Sequence, residues 1–229
     1  MTRNELAKLF DHSILKPNAT RADIIAGCET AKRERLGLVM IQPHFVALTA
    51  AQLQGSGIKV GTVLSFPHGC DLPAVKAASA AQLAAAGADD IDMVINIGAV
   101  LDRDFAYVER DVAGVVAAAD GKLVKVILET CFLSPELIVL AAKACVAAGA
   151  HFVKTSTGFA DKGATTEDIA LMRRTVGPKI GVKASGGIRT LDQALAMLRA
   201  GADRIGVSAS AAILREWDER IGAGGAVEI

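Results

Sequence analysis

The sequence predicts a closed (β/α)₈ barrel of the α/β class, and three observations carry that expectation. Short β-like runs occur eight times along the 229 residues, and two of them, around Lys154 and Lys183, are β-branched or aromatic in part and bounded by Gly-containing turns. Ala/Leu-rich helical patterns fill the intervals between them, the alternation that builds a parallel sheet with crossover helices. Length decides only weakly, because about 250 residues is typical of such a barrel but open doubly wound sheets reach that size too. The repeat count is the stronger argument for closure.

In chain order the strands are expected near residues 12–15, 37–42, 59–66, 90–96, 123–129, 151–156, 179–185 and 203–208. Their punctuation repeats. Ala-Gly-Ala recurs at Ala86-Gly87-Ala88, Ala148-Gly149-Ala150 and Ala200-Gly201-Ala202, each time closing a helix and opening a strand, as a glycine in the left-handed C′ position does. Helix starts are marked by Ser134 followed by Pro135 and Glu136, by the capping-box spacing of Thr190 and Gln193, and by Thr165 and Asp168 at the same spacing. The Ala-rich helix at residues 74–86 is expected to pack closely on the barrel wall.

With 52% hydrophobic and 22% charged residues, the chain can bury one large core, so residues 1–229 read as a single domain. Lys plus Arg equals Asp plus Glu at 25 each, which leaves no overall field to hold nucleic acid or an anionic membrane; an anionic ligand must be met by a local site. The amino-terminal segment lacks a signal-type apolar core, and the longest apolar stretches are broken by charges such as Lys143, so a cytoplasmic protein without a membrane partner is expected. Cys28, Cys70, Cys131 and Cys145 show no CxxC spacing and read as reduced core residues. His12, His44, His68 and His151 are scattered without metal-ligand spacing, so neither a metal nor another cofactor is expected.

Two lysines stand where a buried strand should be apolar: Lys154 in Phe152-Val153-Lys154-Thr155-Ser156, and Lys183 in Ile180-Gly181-Val182-Lys183-Ala184-Ser185. Burial and a second nearby cation both disfavour an ammonium, so one of the pair can become an amine nucleophile near neutrality. A fall in pKa from about 10.4 to about 7.5 raises the free-amine fraction at pH 7 from roughly 0.04% to roughly 25%, enough for Schiff-base chemistry. Asp92 and Lys125 occupy the two preceding strands, and alternation lets all four side chains point inward as one constellation. The structural alternative is an ion-pair network that closes the barrel; two lysines beside few carboxylates would make a poor one. After the seventh strand comes Gly186-Gly187-Ile188, and the eighth leads through Gly206-Val207-Ser208-Ala209-Ser210 into the last helix, the places where barrels of this kind bind phosphate.

Val153-Lys154-Thr155-Ser156-Thr157-Gly158-Phe159, Val182-Lys183-Ala184-Ser185-Gly186-Gly187-Ile188-Arg189-Thr190 and Ile91-Asp92-Met93-Val94-Ile95-Asn96 together resemble the deoxyribose-phosphate aldolases, and the likeness runs over nearly the whole chain. The resemblance implies a TIM barrel and a metal-independent class I lyase that reversibly cleaves 2-deoxy-D-ribose 5-phosphate into D-glyceraldehyde 3-phosphate and acetaldehyde. By resemblance Lys154 carries the Schiff base, Lys183 lowers its pKa and Asp92 shuttles protons. Asp11, Lys125 and Thr155 support them, and Gly158, Gly186, Gly187 and Ser208 meet the phosphate. A homo-oligomer, dimer or tetramer, is expected. The alternatives are another Schiff-base sugar-phosphate aldolase or transaldolase-like enzyme, a sugar-phosphate isomerase without an imine, and a catalytically dead binding barrel.

Three departures from the family stand out. Met40 takes a place where many relatives have Cys; Ala209 replaces the second of two serines, leaving Ser208, Ser210 and backbone N–H groups for phosphate; and residues 224–229 lack the terminal tyrosine of several members, Tyr107 being the only tyrosine.

Overall fold

The computed structural model describes residues 1–222 and 224–229. Eight parallel strands close in sequence order, each hydrogen-bonded to the next and the last to the first. They are β1 (Phe10–Ile14), β2 (Leu38–Ile41), β3 (Lys59–Leu64), β4 (Asp90–Val94), β5 (Leu123–Ile127), β6 (Phe152–Lys154), β7 (Gly181–Ser185) and β8 (Arg204–Val207). Among the described residues the helices are α1 (Arg3–Lys8), α2 (Arg21–Glu34), α3 (Val46–Leu53), α4 (Pro73–Ala85), α5 (Ile97–Leu101), α6 (Phe105–Ala118), α7 (Pro135–Ala147), α8 (Thr166–Val176), α9 (Leu191–Arg199) and α10 (Ser210–Arg220). All eight expected strands are present. β1 begins two residues earlier than expected, at Phe10, which brings Asp11 inside the strand.

The punctuation works as read. Gly87, Gly149 and Gly201 have φ of 106°, 84° and 110°, left-handed values open to glycine alone at little strain. Thr190 and Gln193 form a full capping box, while Ser134 and Thr165 each accept a backbone N–H three residues on. The residue after each Ala-Gly-Ala then clasps the preceding strand. Asp89, His151 and Asp203 donate their N–H groups to the carbonyls of Val60, Val124 and Val182 and accept the N–H of the same residues on their side chains.

Period-two alternation divides the barrel into two cores. Outward residues such as Val39, Ile91, Val126, Val153 and Ile205 pack under the helices. Inward, Leu38, Met40 and Val63 form a small separate apolar cluster. At the amino-terminal ends of the strands, α1 lies across the floor, and the carboxyl-terminal segment is tied to it. Thr2 bridges Ala226, the Met1 amine donates to the Val227 carbonyl at 2.7 Å, and the Glu228 carbonyl accepts from Arg199.

Candidate active site

Strand register brings the inward charges of β4 to β8 and β1 onto neighbouring staves. Lys154 pairs with Lys183 and Asp92 with Lys125 across adjacent strands. The ammonium groups of Lys154 and Lys183 both donate to Asp92 Oδ2, at 2.8 and 2.7 Å. Lys183 Nζ is also 2.5 Å from Asp11 Oδ2, and Lys125 Nζ lies 2.6 Å from Asp90 Oδ2 and 3.2 Å from Asp92 Oδ1. The expectation of lysines beside few carboxylates is therefore corrected: three aspartates stand among three lysines. Asp90 was missed, although its spacing of two from Asp92 puts both on one face of a strand. Lys183 can cross to β1 because β8 has a glycine beside it; a Cβ on Gly206 would sit 3.1 Å from Lys183 Cε.

Burial is the largest influence on Lys154 and disfavours its charge. Asp92 opposes that effect, Lys183 and Lys125 reinforce it, and the pKa is pushed down to about 8. Roughly a tenth of Lys154 is then free amine at pH 7. Burial would raise the pKa of Asp92, but Lys125, Lys154 and Lys183 outweigh it and hold the carboxyl well below the usual range. Lys125 moves the other way from Lys154: burial lowers its pKa, and Asp92, Asp11 and Asp90 together raise it above the ordinary lysine value. The three lysines are thus unequal, and Lys154 is the one that is also 3% exposed, at the carboxyl-terminal mouth.

Above it opens a cavity of about 380 Å³ lined by Lys154, Gly158, Gly186, Gly187 and Ser208 together with Lys16, Ser185, Arg189 and Gly206. The four residues expected to contact phosphate therefore share one cavity with Lys154. Gly186 and Gly187 are both left-handed, with φ of 84° and 80°, which lets the loop turn tightly over the mouth. Ala209 caps α10 without a side-chain hydrogen bond, so the first N–H groups of that helix have no capping partner. Lys16 and Arg189 are cations at this cavity that the sequence pattern does not single out.

Several expected contributors take other places. Ser210 is fully buried and its hydroxyl is hydrogen-bonded with His12 Nδ1 at 2.8 Å, so it is unavailable to a ligand. Thr155 donates its hydroxyl to the Ser185 carbonyl and accepts the Ser185 N–H, at 3.2 and 3.1 Å, which ties the end of β6 to β7 directly above Lys154 and Lys183. Cys28 and Cys145 are buried as expected, but Cys70 is exposed and Cys131 half-buried, a correction to the all-core reading. Residues 224–229 lie on the floor, away from the mouth. Glu129, also missed, accepts the Thr157 hydroxyl and N–H beneath the loop that carries Gly158, and it adopts a left-handed φ of 54° that no sequence pattern announces.

Residues 6–216 match the DeoC/LacD family of aldolases. A protein named deoxyribose-phosphate aldolase from Bacillus mycoides is 53% identical over 210 residues, covering 91% of this chain and 94% of its own. One of the same name from Clostridium perfringens is 52% identical over 214 residues, covering 93% and 96%. Among solved structures, the tetrameric deoxyribose phosphate aldolase of Aeropyrum pernix superposes with a TM-score of 0.88 at 31% identity, over 95% of this chain and 92% of that one. An eight-stranded barrel with paired interior lysines under a glycine-rounded mouth, matched along nearly its whole length, places this chain in the DeoC/LacD aldolase family.

Proposed function

We propose that this aldolase performs its reversible cleavage of 2-deoxy-D-ribose 5-phosphate into D-glyceraldehyde 3-phosphate and acetaldehyde through an imine on Lys154. The observation that carries the assignment is the inequality of the three lysines: Lys154 alone combines a pKa of about 8 with a place on the cavity wall. Its free amine adds to the C1 aldehyde, and the carbinolamine loses water to give an iminium. That cation accepts the electron pair of the C2–C3 bond as the C3 hydroxyl loses its proton, so three carbons leave as glyceraldehyde 3-phosphate and two remain as an enamine. Protonation at C2 and hydrolysis release acetaldehyde. Asp92, which touches both lysines through Oδ2, moves these protons with water. Lys183 supplies the neighbouring positive charge, and Asp11 and Lys125 hold the network around it.

The phosphate lies over Gly158, Gly186, Gly187 and Ser208 at the uncapped start of α10, with Lys16 and Arg189 balancing its charge. The protein works in the cytoplasm as a homo-oligomer, dimer or tetramer. Exposed Leu72, Val75, Leu101 and Phe132 support association, and among the described residues no helix is long and apolar enough to cross a membrane. Borohydride reduction in the presence of deoxyribose 5-phosphate, followed by peptide mass mapping, is the deciding experiment. The adduct is expected on the Lys154 peptide; finding it on the Lys183 peptide would reverse the two roles.

A further inference from the structure

The interior charges do not stop at the three lysines. Arg204, the first residue of β8, precedes Gly206 by two positions and so lies on the same inward face. It pairs in register with Lys183 on β7. Its guanidinium crosses the floor of the barrel toward β1, donating to the Lys8 carbonyl at 3.2 Å and standing 3.6 Å from Asp11 Oδ1. The floor leaves room for it. A Cβ on Gly37 would meet the Lys8 carbonyl oxygen at 2.1 Å and the guanidinium at 3.0 Å.

We propose that Arg204 is a positioning residue that supplies a fourth cation to the interior cluster, leaving it one carboxylate short and making Lys154 the lysine that releases its proton. The inference rests on Lys154 as the imine-forming residue. Four cations, Lys125, Lys154, Lys183 and Arg204, face three carboxylates, Asp11, Asp90 and Asp92. Of the remaining inward residues of β2 and β3, Leu38, Met40 and Val63 carry no charge, and Lys59, which opens β3 on the same face, is exposed to solvent; the other cations at the cavity of Lys154 are Lys16 and Arg189 at the open mouth. The shortage is passed along a chain of contacts. Arg204 and Lys125 both draw on Asp11, which Lys183 also touches, so Lys183 leans on Asp92; Lys154 is left with one shared oxygen of Asp92. Loss of one proton from Lys154 brings the cluster to neutrality, and Lys154 is the one of its three lysines that reaches water.

Changing the count from either side provides the test. Arg204→Gln gives three cations and three carboxylates, so Lys154 should hold its proton more tightly. The acid limb of imine formation, read by borohydride trapping with acetaldehyde across pH 5.5–10, should move up by about half to one pH unit. Trapping at pH 6.5 should fall roughly 3- to 10-fold, while trapping at pH 9.5 stays within about twofold. Arg204→Lys should restore the wild-type limb. Asp11→Asn shifts the balance the other way and should lower the limb, and the double variant should lie near wild type. A merely structural Arg204 would lower melting temperature with the limb in place. An unmoved limb in a folded Arg204→Gln protein overturns the proposal. Should that variant not fold, a limb that stays or rises in Asp11→Asn overturns it instead. Failure of the underlying reading is separate, because it appears in wild-type protein as an adduct on a peptide other than that of Lys154.

Discussion

The two sides of the barrel interior obey one rule of alternation and have opposite chemistry. β2 and β3 fill it with Leu38, Met40 and Val63, backed at the mouth by Leu15 and Phe66. β4 round to β1 fill it with Asp90, Asp92, Lys125, Lys154, Lys183, Arg204 and Asp11. On the apolar side each fully buried side chain contributes about 1.5–3 kcal/mol through removal from water. On the ionic side each charge must recover its desolvation from partners, and a buried ion pair is poor evidence of stability. The difference teaches why a lysine amine exists here near neutrality: an apolar wall offers Lys154 no acceptors, and the ionic wall offers it only one oxygen, shared.

Making the ionic side more like the apolar side should separate activity from stability. Lys154→Met should lower turnover by at least about 10⁴-fold and abolish borohydride trapping, since no other residue can form the productive imine. The same variant should be more stable at neutral pH. The folded pKa of Lys154, about 8, lies below the unfolded value of about 10.4, so the folded state holds its ammonium at a disadvantage of roughly 3 kcal/mol below pH 8. That disadvantage shrinks as pH rises from 8 to about 10.4 and is absent above it. Denaturant unfolding at pH 7 and at pH 10.5 checks this: a gain of about 1–3 kcal/mol is expected at pH 7 and little at pH 10.5. A destabilised Lys154→Met at pH 7 would mean that the contact with Asp92 outweighs desolvation.

The fold was legible because the strands' outward residues are mostly apolar, His12 and Thr62 being exceptions, while glycine and capping residues mark the joints. Its boundaries were less so. The expected strands at residues 90–96, 123–129 and 151–156 run past the paired segments, since Ile95, Leu128, Thr155 and Ser156 stay buried after the ladder ends. Burial and pairing leave the same mark on a sequence. At the site, Lys154, Lys183, Asp92 and Lys125 stood out as charges inside apolar runs, whereas Asp11 lay outside the expected first strand and came only from the family resemblance. Arg204 did not, because a charge at the edge of a strand looks like the ordinary end of a run. Glu129 acts through a left-handed backbone and a partner 28 residues away, and neither is written locally.

A smaller effect should come from keeping the ionic side and removing its second lysine. Lys183→Leu leaves Asp92 facing Lys154 with one cation fewer, so the Lys154 pKa rises and its free amine appears only at higher pH. The acid limb of the pH–rate profile should move up by about 1–2 units, with turnover down roughly 10- to 100-fold at pH 7 and partly recovered near pH 9.5. That shift should exceed the one from Arg204→Gln, because Lys183 touches Asp92 directly and Arg204 acts through Asp11. An unchanged profile in a folded protein would remove the electrostatic role of Lys183.

The smallest expected effect belongs to the apolar side and concerns side chemistry of the product. Two acetaldehyde molecules condense and lose water to give an enal, which can itself form an iminium with Lys154. The β-carbon of that iminium is an electrophile held inside the barrel. β2 stands opposite β6 in the closed order, so the four-carbon chain extends from Lys154 toward the wall that Met40 builds. A thioether has no proton to lose and leaves no lasting bond, whereas a thiol adds and crosslinks the two strands. Met40→Cys should therefore lose activity faster than wild type in concentrated acetaldehyde, by about two- to fivefold in rate, with a mass increase that joins the β2 peptide carrying the substitution to the Lys154 peptide. The modest size follows from burial, which raises the pKa of Cys28 and Cys145 and would hold a thiol at this wall largely protonated. Exposed Cys70 and half-buried Cys131 are present in both proteins and set the background. Equal decay of the two proteins would show that these thiols dominate and that the apolar wall is chemically as well as electrostatically silent.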